Sequence, residues 1–391
     1  LLHTWIHETA KNAPLPVAAY LPAALDKLLG IYLLVRIVSN SFFLDNAAKI
    51  TLIVIGALTI IFAVMMALVQ HDIKKLLGYH AVSQVGYMVL SIGCATPIAI
   101  AAGIFHMINN SLYKCCLFLG AGNVEKQTGT TELEKLGGLS RLMPVTFVTF
   151  LIAALSISGI PPLNGFVSKW MIYQGMVDFT KTLGSSNLKI IVTLSLCCAL
   201  LGSGLTLASF LKVISSVFFG NTKIKAKEAR FSLLLPAVIL ALFCIIFGVF
   251  AYSTILKFIE KITGSFSMIG LWQPMGATIL IVIGIVLGVI IFKLSSLKLR
   301  VSPGYTGGEE SKISPKEEAK LEDFYATIVE LPFLKRVYAL AERKVFDIYE
   351  QLRKLFFVFS DFLKKLHNGV LPTYLAWCLL AMIGLFYIFF K

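Results

Sequence analysis

Residues 97–122 read PIAIAAGIFHMINNSLYKCCLFLGAG, an apolar run whose one formal charge is Lys114. A helix rises 1.5 Å per residue, so about 20 apolar residues cross the roughly 30 Å hydrocarbon core of a bilayer. This run is long enough. Eight others flank it, at 13–38, 48–69, 73–93, 142–176, 189–219, 231–258, 275–294 and 371–390. Of the 391 residues, 57% are hydrophobic and 14% charged, a balance foreign to soluble domains with a hydrated surface. The fold class follows: all-α, a polytopic transmembrane helical bundle spanning the cell membrane several times.

Thirty-five Lys and Arg against 21 Asp and Glu give a net charge of +14. In so apolar a chain the excess sets orientation in the bilayer, and no basic, aromatic nucleic-acid motif accompanies it. If the spans alternate, Lys74, Lys126, Lys135, Arg141, Lys223, Lys225, Lys227, Arg230, Lys298 and Arg300 share one side, which the positive-inside rule makes cytoplasmic. The opposite loops hold Arg36, Lys49, Lys181, Lys189 and Lys261. Seven cysteines include the adjacent pairs Cys115-Cys116 and Cys197-Cys198, with no CxxC cluster. An iron–sulfur, zinc or disulfide framework on this chain is unsupported, so it carries no metal or cofactor and no catalytic residue set. No Met precedes Leu1, and Leu1-Leu2-His3-Thr4-Trp5 reads as the interior of a longer protein whose earlier spans are missing.

After the bundle, residues 1–300, the composition changes. Ser302-Pro303-Gly304 and Gly307-Gly308 mark a loop at 301–313, and a charged segment fills 314–367 before an anchoring span at 368–391. Within 314–367 the apolar residues Leu321, Phe324, Ile328 and Leu331, then Val345, Tyr349, Leu352, Phe356, Phe359 and Leu363, keep helical spacing. About 50 residues would reach roughly 75 Å, so the segment reads as a long amphipathic lateral helix along the cytoplasmic membrane surface, kinked at Pro332. Two shorter helices packed on the bundle are the plainer alternative.

A charged side chain at mid-bilayer costs roughly 2.5–3.5 kcal/mol on insertion scales, so buried ionisable groups are functional candidates. Asp26 and Lys27 sit near the centre of the first span, about 100° apart on the helix, so Lys27 can face the bundle axis while Asp26 meets another helix. A structural ion pair is the rival. His80, Ser83 or Gln84, Tyr87 and Ser91 form a polar stripe in the third span, with Asp72, Lys74 and Lys75 at its mouth, where anchoring at the membrane interface competes with function. His106, Asn110 and Lys114 lie at i, i+4 and i+8 on one face of the fourth span, a pattern that suits a hydrated relay better than a metal site. Lys169 follows Ser158-Gly159-Ile160-Pro161-Pro162-Leu163-Asn164-Gly165. Gly159, Pro161, Pro162 and Gly165 must break that helix, and such breaks expose backbone that is tolerated only against protein or a watery cavity.

HTW at 3–5 with Pro16-Val17 and Gly30-Ile31-Tyr32, HDIKKLLGYHAVSQVGYM at 71–88, KCCLFLGAG at 114–122, and GLSRLMP to SGIPPLNGF at 138–166 resemble the proton-translocating antiporter-like subunits of respiratory complex I. The resemblance runs from Leu1 to about Phe219, and the later surface helix and last span resemble those of the L-type subunit. LDKLLGIYLLVRI at 25–37 is most similar to the large antiporter-like subunit of Ech-type, energy-converting hydrogenases. The resemblance implies that Lys27 is the middle-channel lysine, Lys74 the DIK lysine, Lys114 the central-axis lysine and Lys169 the terminal Lys or Glu. The family's HTWLPDA is here HTWIHET, with His7 and Glu8; Asn110 replaces a frequent second His, and Pro22 replaces a His of L-type subunits. The resemblance further implies a non-redox, H+ or Na+ translocating subunit of a membrane-bound oxidoreductase. Other membrane subunits, membrane lipids and a peripheral hydrogenase or dehydrogenase arm with iron–sulfur clusters and a NiFe centre would be its partners. A multisubunit secondary cation/proton antiporter, a complex I-type oxidoreductase and a purely structural membrane brace remain the alternatives.

Overall fold

Three spans start where a side chain takes a free amide of the first helical turn. Asp45 accepts from Ala48 N–H at 2.8 Å, Asp72 from Lys75 N–H at 2.9 Å, and Thr96 from Ala99 N–H at 3.4 Å. They open α4 (Asn46–Leu68), α5 (Ile73–Gly93) and α6 (Pro97–Thr128). The computed structural model describes residues 3–42, 44–220, 224–266, 274–294, 331–367 and 369–390. Before these spans come α1 (Trp5–Asn12), α2 (Leu15–Tyr20) and α3 (Asp26–Arg36). After them come α7 (Pro144–Ser158), α8 (Asn164–Thr182), α9 (Ser186–Phe218), α10 (Phe231–Val249), α11 (Lys257–Thr263) and α12 (Pro274–Leu294). Among the described residues the regular structure is helical, as an all-α polytopic membrane bundle requires.

α4, α9 and α10 are long and apolar enough to cross a membrane on their own. α5 and α6 carry more polar residues because these face inward: His80, Gln84, Ser91, His106, Asn110 and Lys114 are all fully buried. Loop contacts gather one set of helix ends. Ile73 N–H bonds Thr131 O at 3.0 Å, Gly138 N–H bonds Phe219 O at 2.8 Å, and Glu228 accepts from Val145 N–H at 2.7 Å. The beginnings of α5, α7 and α10 and the ends of α6 and α9 therefore lie at one end of the bundle, as alternating spans demand.

The span expected at 142–176 is two helices. α7 stops at Gly159, whose φ of +83° suits a residue without Cβ, and α8 starts at Asn164. Gly165 packs on the main chain of Ser156, and Gly248 of α10 lies against the main chain of Pro162, Leu163 and Asn164. Any side chain at 248 meets backbone. Gly248→Val is accordingly expected to cost about 1–3 kcal/mol by overpacking, read as a lowered melting temperature of the detergent-solubilised protein. Unchanged melting would mean that α10 does not close on the break.

Two spans end differently from expectation. The first, at 13–38, is not one α-helix: α2 and α3 are joined by a wider, π-helical turn at Leu21–Leu25, and a second such turn follows at Ile37–Ser41. Pro22, which cannot donate to the helix, sits inside the first. The span read at 231–258 ends at Val249, and a π-helical turn at Tyr252–Leu256 leads into α11.

The chain divides into two compact units, Trp5–Glu330 and Leu331–Lys391 with Leu1–Thr4. The second holds α13 (Pro332–Glu342), α14 (Ile348–Leu366) and α15 (Leu371–Phe389), the last also long and apolar enough to cross a membrane. Pro332 opens α13 at a position where its missing N–H is free of cost, rather than kinking a continuing helix. Lys344 at φ +55° turns the chain, and Asp347 caps the next helix by accepting from Tyr349 N–H at 3.0 Å. The described part of the amphipathic segment is thus a pair of helices, and its stripe residues Tyr349, Leu352, Phe356 and Phe359 are exposed. The loop at 301–313, the start of the segment at 314–330, and Lys223, Lys298 and Arg300 lie outside the described residues.

Candidate functional site

The π-helical turn creates the first lysine's setting. Asp26 N–H, which in an α-helix would bond Pro22 O, reaches Leu21 O instead. Pro22 O then accepts from the Lys27 ammonium, which also donates to Asp26 Oδ1 at 2.8 Å and Oδ2 at 3.0 Å. The expectation that these neighbours point to different helices is corrected: the flexible lysine stem folds back onto the preceding carboxylate. Their exposures differ sharply, 1% for the Lys27 side chain against 21% for Asp26.

His106, Asn110 and Lys114 share a face of α6, yet each meets a different neighbour. His106 Nε2 lies 3.1 Å from Gln84 Oε1 and its Nδ1 2.9 Å from Ser168 Oγ. Asn110 donates to Ala23 O, in the π-helical turn, at 3.3 Å. Lys114 donates to Leu77 O of α5 at 2.7 Å. The 40° drift accumulated every four residues turns the three side chains toward three elements, so they are not bonded to one another.

The α5 stripe runs through the centre of the bundle. His80 Nε2 is 2.8 Å from Ser209 Oγ of α9, and its ring packs against Phe210 at 4.8 Å between centroids. Gln84 Oε1 also accepts from Tyr113 at 3.4 Å, while Tyr87 donates to Ala199 O at 2.7 Å and Ser91 to Ala99 O at 2.7 Å. His80 Nδ1, Gln84 Nε2 and Asn110 Oδ1 have no partner among the described residues.

Lys169 shows what the helix break does. Ile157 O would bond the N–H four residues on, but that residue is Pro161, which has none. The freed carbonyl accepts from Lys169 Nζ at 2.9 Å, and the ammonium lies 4.8 Å from the centre of the Tyr87 ring. Lys27 acts electrostatically on Lys114, Lys114 and Lys169 both act on His80, and Lys169 acts on His106. Five of the sequence candidates thus share one continuous interior. Lys74 stands apart at the mouth, where it donates to Glu125 Oε1 at 2.9 Å and Oε2 at 3.1 Å. Among the described residues no three His, Cys, Asp or Glu cluster as metal ligands, and the described cysteines are free thiols.

Sequence reasoning passed over three features. The first is Glu125, the partner of Lys74, which follows the apolar run 97–122. Asn109 and Asn164 exchange amide bonds across the break: Asn164 Nδ2 donates to Asn109 Oδ1 at 2.9 Å, Asn109 Nδ2 to Asn164 O at 3.0 Å, and Ser156 Oγ to Asn164 Oδ1. Lys212 of α9 is fully buried and donates to Leu68 O at 3.0 Å and Gln70 O at 2.9 Å, carbonyls at the last residue of α4 and just beyond it. A lone lysine in a long apolar helix was the available signal. Lys212→Met strands both carbonyls, each at a cost of about 1–3 kcal/mol, so folded protein should melt at lower temperature in detergent. An unchanged melting curve would show that the two carbonyls find other donors.

Residues 1–202 match the family described as NADH:quinone oxidoreductase/Mrp antiporter, TM. A Na+/H+ antiporter subunit of Alkalihalophilus pseudofirmus is 38% identical over 261 residues, covering 64% of this chain and 50% of that protein. Another Na+/H+ antiporter subunit, from Staphylococcus aureus strain Newman, is 31% identical over 362 residues, covering 83% of this chain and 44% of that protein. The chain therefore spans at most half the length of these curated relatives. Among solved structures, a chain of the membrane-bound sulfane sulfur reductase, an archaeal respiratory membrane complex, superposes with a TM-score of 0.78 at 26% identity, over 99% of this chain and 65% of that one. A chain of the Mrp complex from Dietzia sp. superposes with a TM-score of 0.61 at 23% identity over 67% of this chain and 55% of that one, a likeness of fold.

Proposed function

This chain belongs to the NADH:quinone oxidoreductase/Mrp antiporter transmembrane family, and we propose that it is an ion-translocating subunit of a multisubunit membrane complex, moving protons along Lys27, Lys114, His80, His106 and Lys169. One observation carries the reading: each buried lysine of the line is held by a main-chain carbonyl, Pro22 O, Leu77 O or Ile157 O. A carbonyl accepts a hydrogen bond from an ammonium or a neutral amine alike, so such a site can hold both protonation states of the lysine. Water bridging His80 Nδ1, Gln84 Nε2 and Asn110 Oδ1 would link the stations. Nitrogen bases favour H+ over Na+ as cargo, since hard cations seek several oxygen ligands.

We take the complex to be redox-driven, because the likeness to the archaeal respiratory complex extends over 99% of this chain, against 67% for the Mrp complex. The narrower form is an Ech-type hydrogenase in the cytoplasmic membrane, with iron–sulfur clusters and a NiFe centre on a peripheral arm and the segment at 314–367 on the cytoplasmic face. The rival is a secondary antiporter, supported by the relatives named Na+/H+ antiporter subunits. Affinity purification of the tagged chain from its own membranes separates them. Co-purifying iron–sulfur subunits, with nickel for the hydrogenase form, and proton uptake driven by electron transfer are the expected results. A preparation without redox subunits that exchanges Na+ for H+ would overturn the redox reading.

A further inference from the structure

Lys74 and Glu125 form a pair with one member in water and one in the protein. The Lys74 side chain is 6% exposed and the Glu125 side chain 37%. Their bonds are bidentate, with the ammonium 2.9 Å and 3.1 Å from the two carboxylate oxygens. The surroundings are aqueous in character. Asp72 accepts from Lys75 N–H at 2.9 Å and from the Thr131 hydroxyl, Glu132 pairs with Lys135 at 2.7 Å, Glu134 with His71 at 3.4 Å, and Glu8 with Lys75 at 3.4 Å. Each of those carboxylates is engaged by a helix cap or a solvent-facing cation. Among the described residues of this rim, Glu125 is the carboxylate whose bonded cation is buried.

Both helices aim this pair at Lys114. On α5, Lys74 and Leu77 are three residues apart and so share a face, and Leu77 O is the carbonyl that holds Lys114. On α6, Lys114 and Glu125 are eleven residues apart, about 20° past three full turns at roughly 100° per residue, which is about 16 Å along the axis. As a staple the pair adds little, since a half-exposed ion pair contributes weakly where the helices already pack closely. Its placing suits proton exchange.

We propose that Glu125 is the proton-collecting carboxylate of this end of the bundle and that the Lys74–Glu125 pair is the aqueous mouth of the path to Lys114, an inference that rests on the proton-translocating reading above. Glutamic acid at 125 gives its proton to the neutral amine of Lys74, leaving carboxylate and ammonium. The carboxylate then takes a proton from water at the surface, while the ammonium releases its proton inward through water to Lys114. The same steps reversed discharge protons when the drive is reversed.

The test uses the intact complex in proteoliposomes loaded with a pH-sensitive dye, with Glu125→Ala, Glu125→Gln and Lys114→Met compared at equal assembly. Both Glu125 variants should slow proton flux by about tenfold or more, the scale of losing a positioned acid–base group. Formate should then speed the Ala variant, because a small carboxylic acid fits the space vacated beside Lys74, and should not speed the Gln variant, whose amide fills it. Liposomes with Lys114→Met report the background permeation of formic acid. Parental flux in either Glu125 variant, or slow flux in the Ala variant without a formate response, overturns the inference. If those results come with a parent complex that pumps and a Lys114→Met complex that does not, the proton-translocating reading stands. A parent complex that moves no protons removes both.

Discussion

Lys169→Met should stop proton flux, whereas Lys169→Glu should retain a measurable part of it. The difference comes from the break. Because Pro161 cannot donate, Ile157 O is left open, and Lys169 Nζ occupies it at 2.9 Å from a fully enclosed position on α8. Met has nearly the same length and fills the same volume beside Gly159, but it can neither donate to that carbonyl nor carry a proton. Glutamic acid can do both: protonated, its O–H donates to Ile157 O, and ionised, it has released the proton to the next station. A loss of roughly 10²-fold for Met, with an intermediate rate for Glu, is expected from removing against replacing a proton carrier. Flux through proteoliposomes, normalised to assembled complex, checks it. Equal rates for parent and Met, or equal inactivity of Met and Glu, would remove Lys169 from the path.

The lysines and the break were legible in the sequence because each rests on a local property. Apolar length marks the spans, and Gly159, Pro161 and Pro162 forbid a continuous helix whatever surrounds them. Partners were not legible, since helical spacing gives the azimuth of a side chain and not the element waiting there. His106, Asn110 and Lys114 look like one wire along α6, yet they bond to α5 and α8, to the π-helical turn, and to α5. The π-helical turn itself was hidden, because Pro22 is compatible with several ways of widening a helix. Lys27 and Asp26 consequently pair where rigid helix geometry separates them. Lys212 was passed over, because nothing in the sequence shows that Leu68 O and Gln70 O lie beside it. The continuous stripe after Leu331 likewise gave no sign of the turn at Lys344, because its apolar spacing continues across that turn.

Lys114 is the central station of the proposed line. It is fully buried on α6, held by Leu77 O, with Lys27 and His80 both within electrostatic reach. A brace would keep its function when this lysine became an apolar side chain of equal length, and burying Met in place of an amine could even firm the packing. A proton path would not, because Met can neither take up nor pass on a proton at the point where α6 meets Leu77 O of α5. The most direct measurement is therefore driven proton uptake by proteoliposomes holding the complex with the parent chain or with Lys114→Met, at equal assembly and equal driving force. A loss of roughly 10²-fold in Lys114→Met with the complex intact is the result predicted by a buried proton line through this chain; an unchanged rate would contradict it.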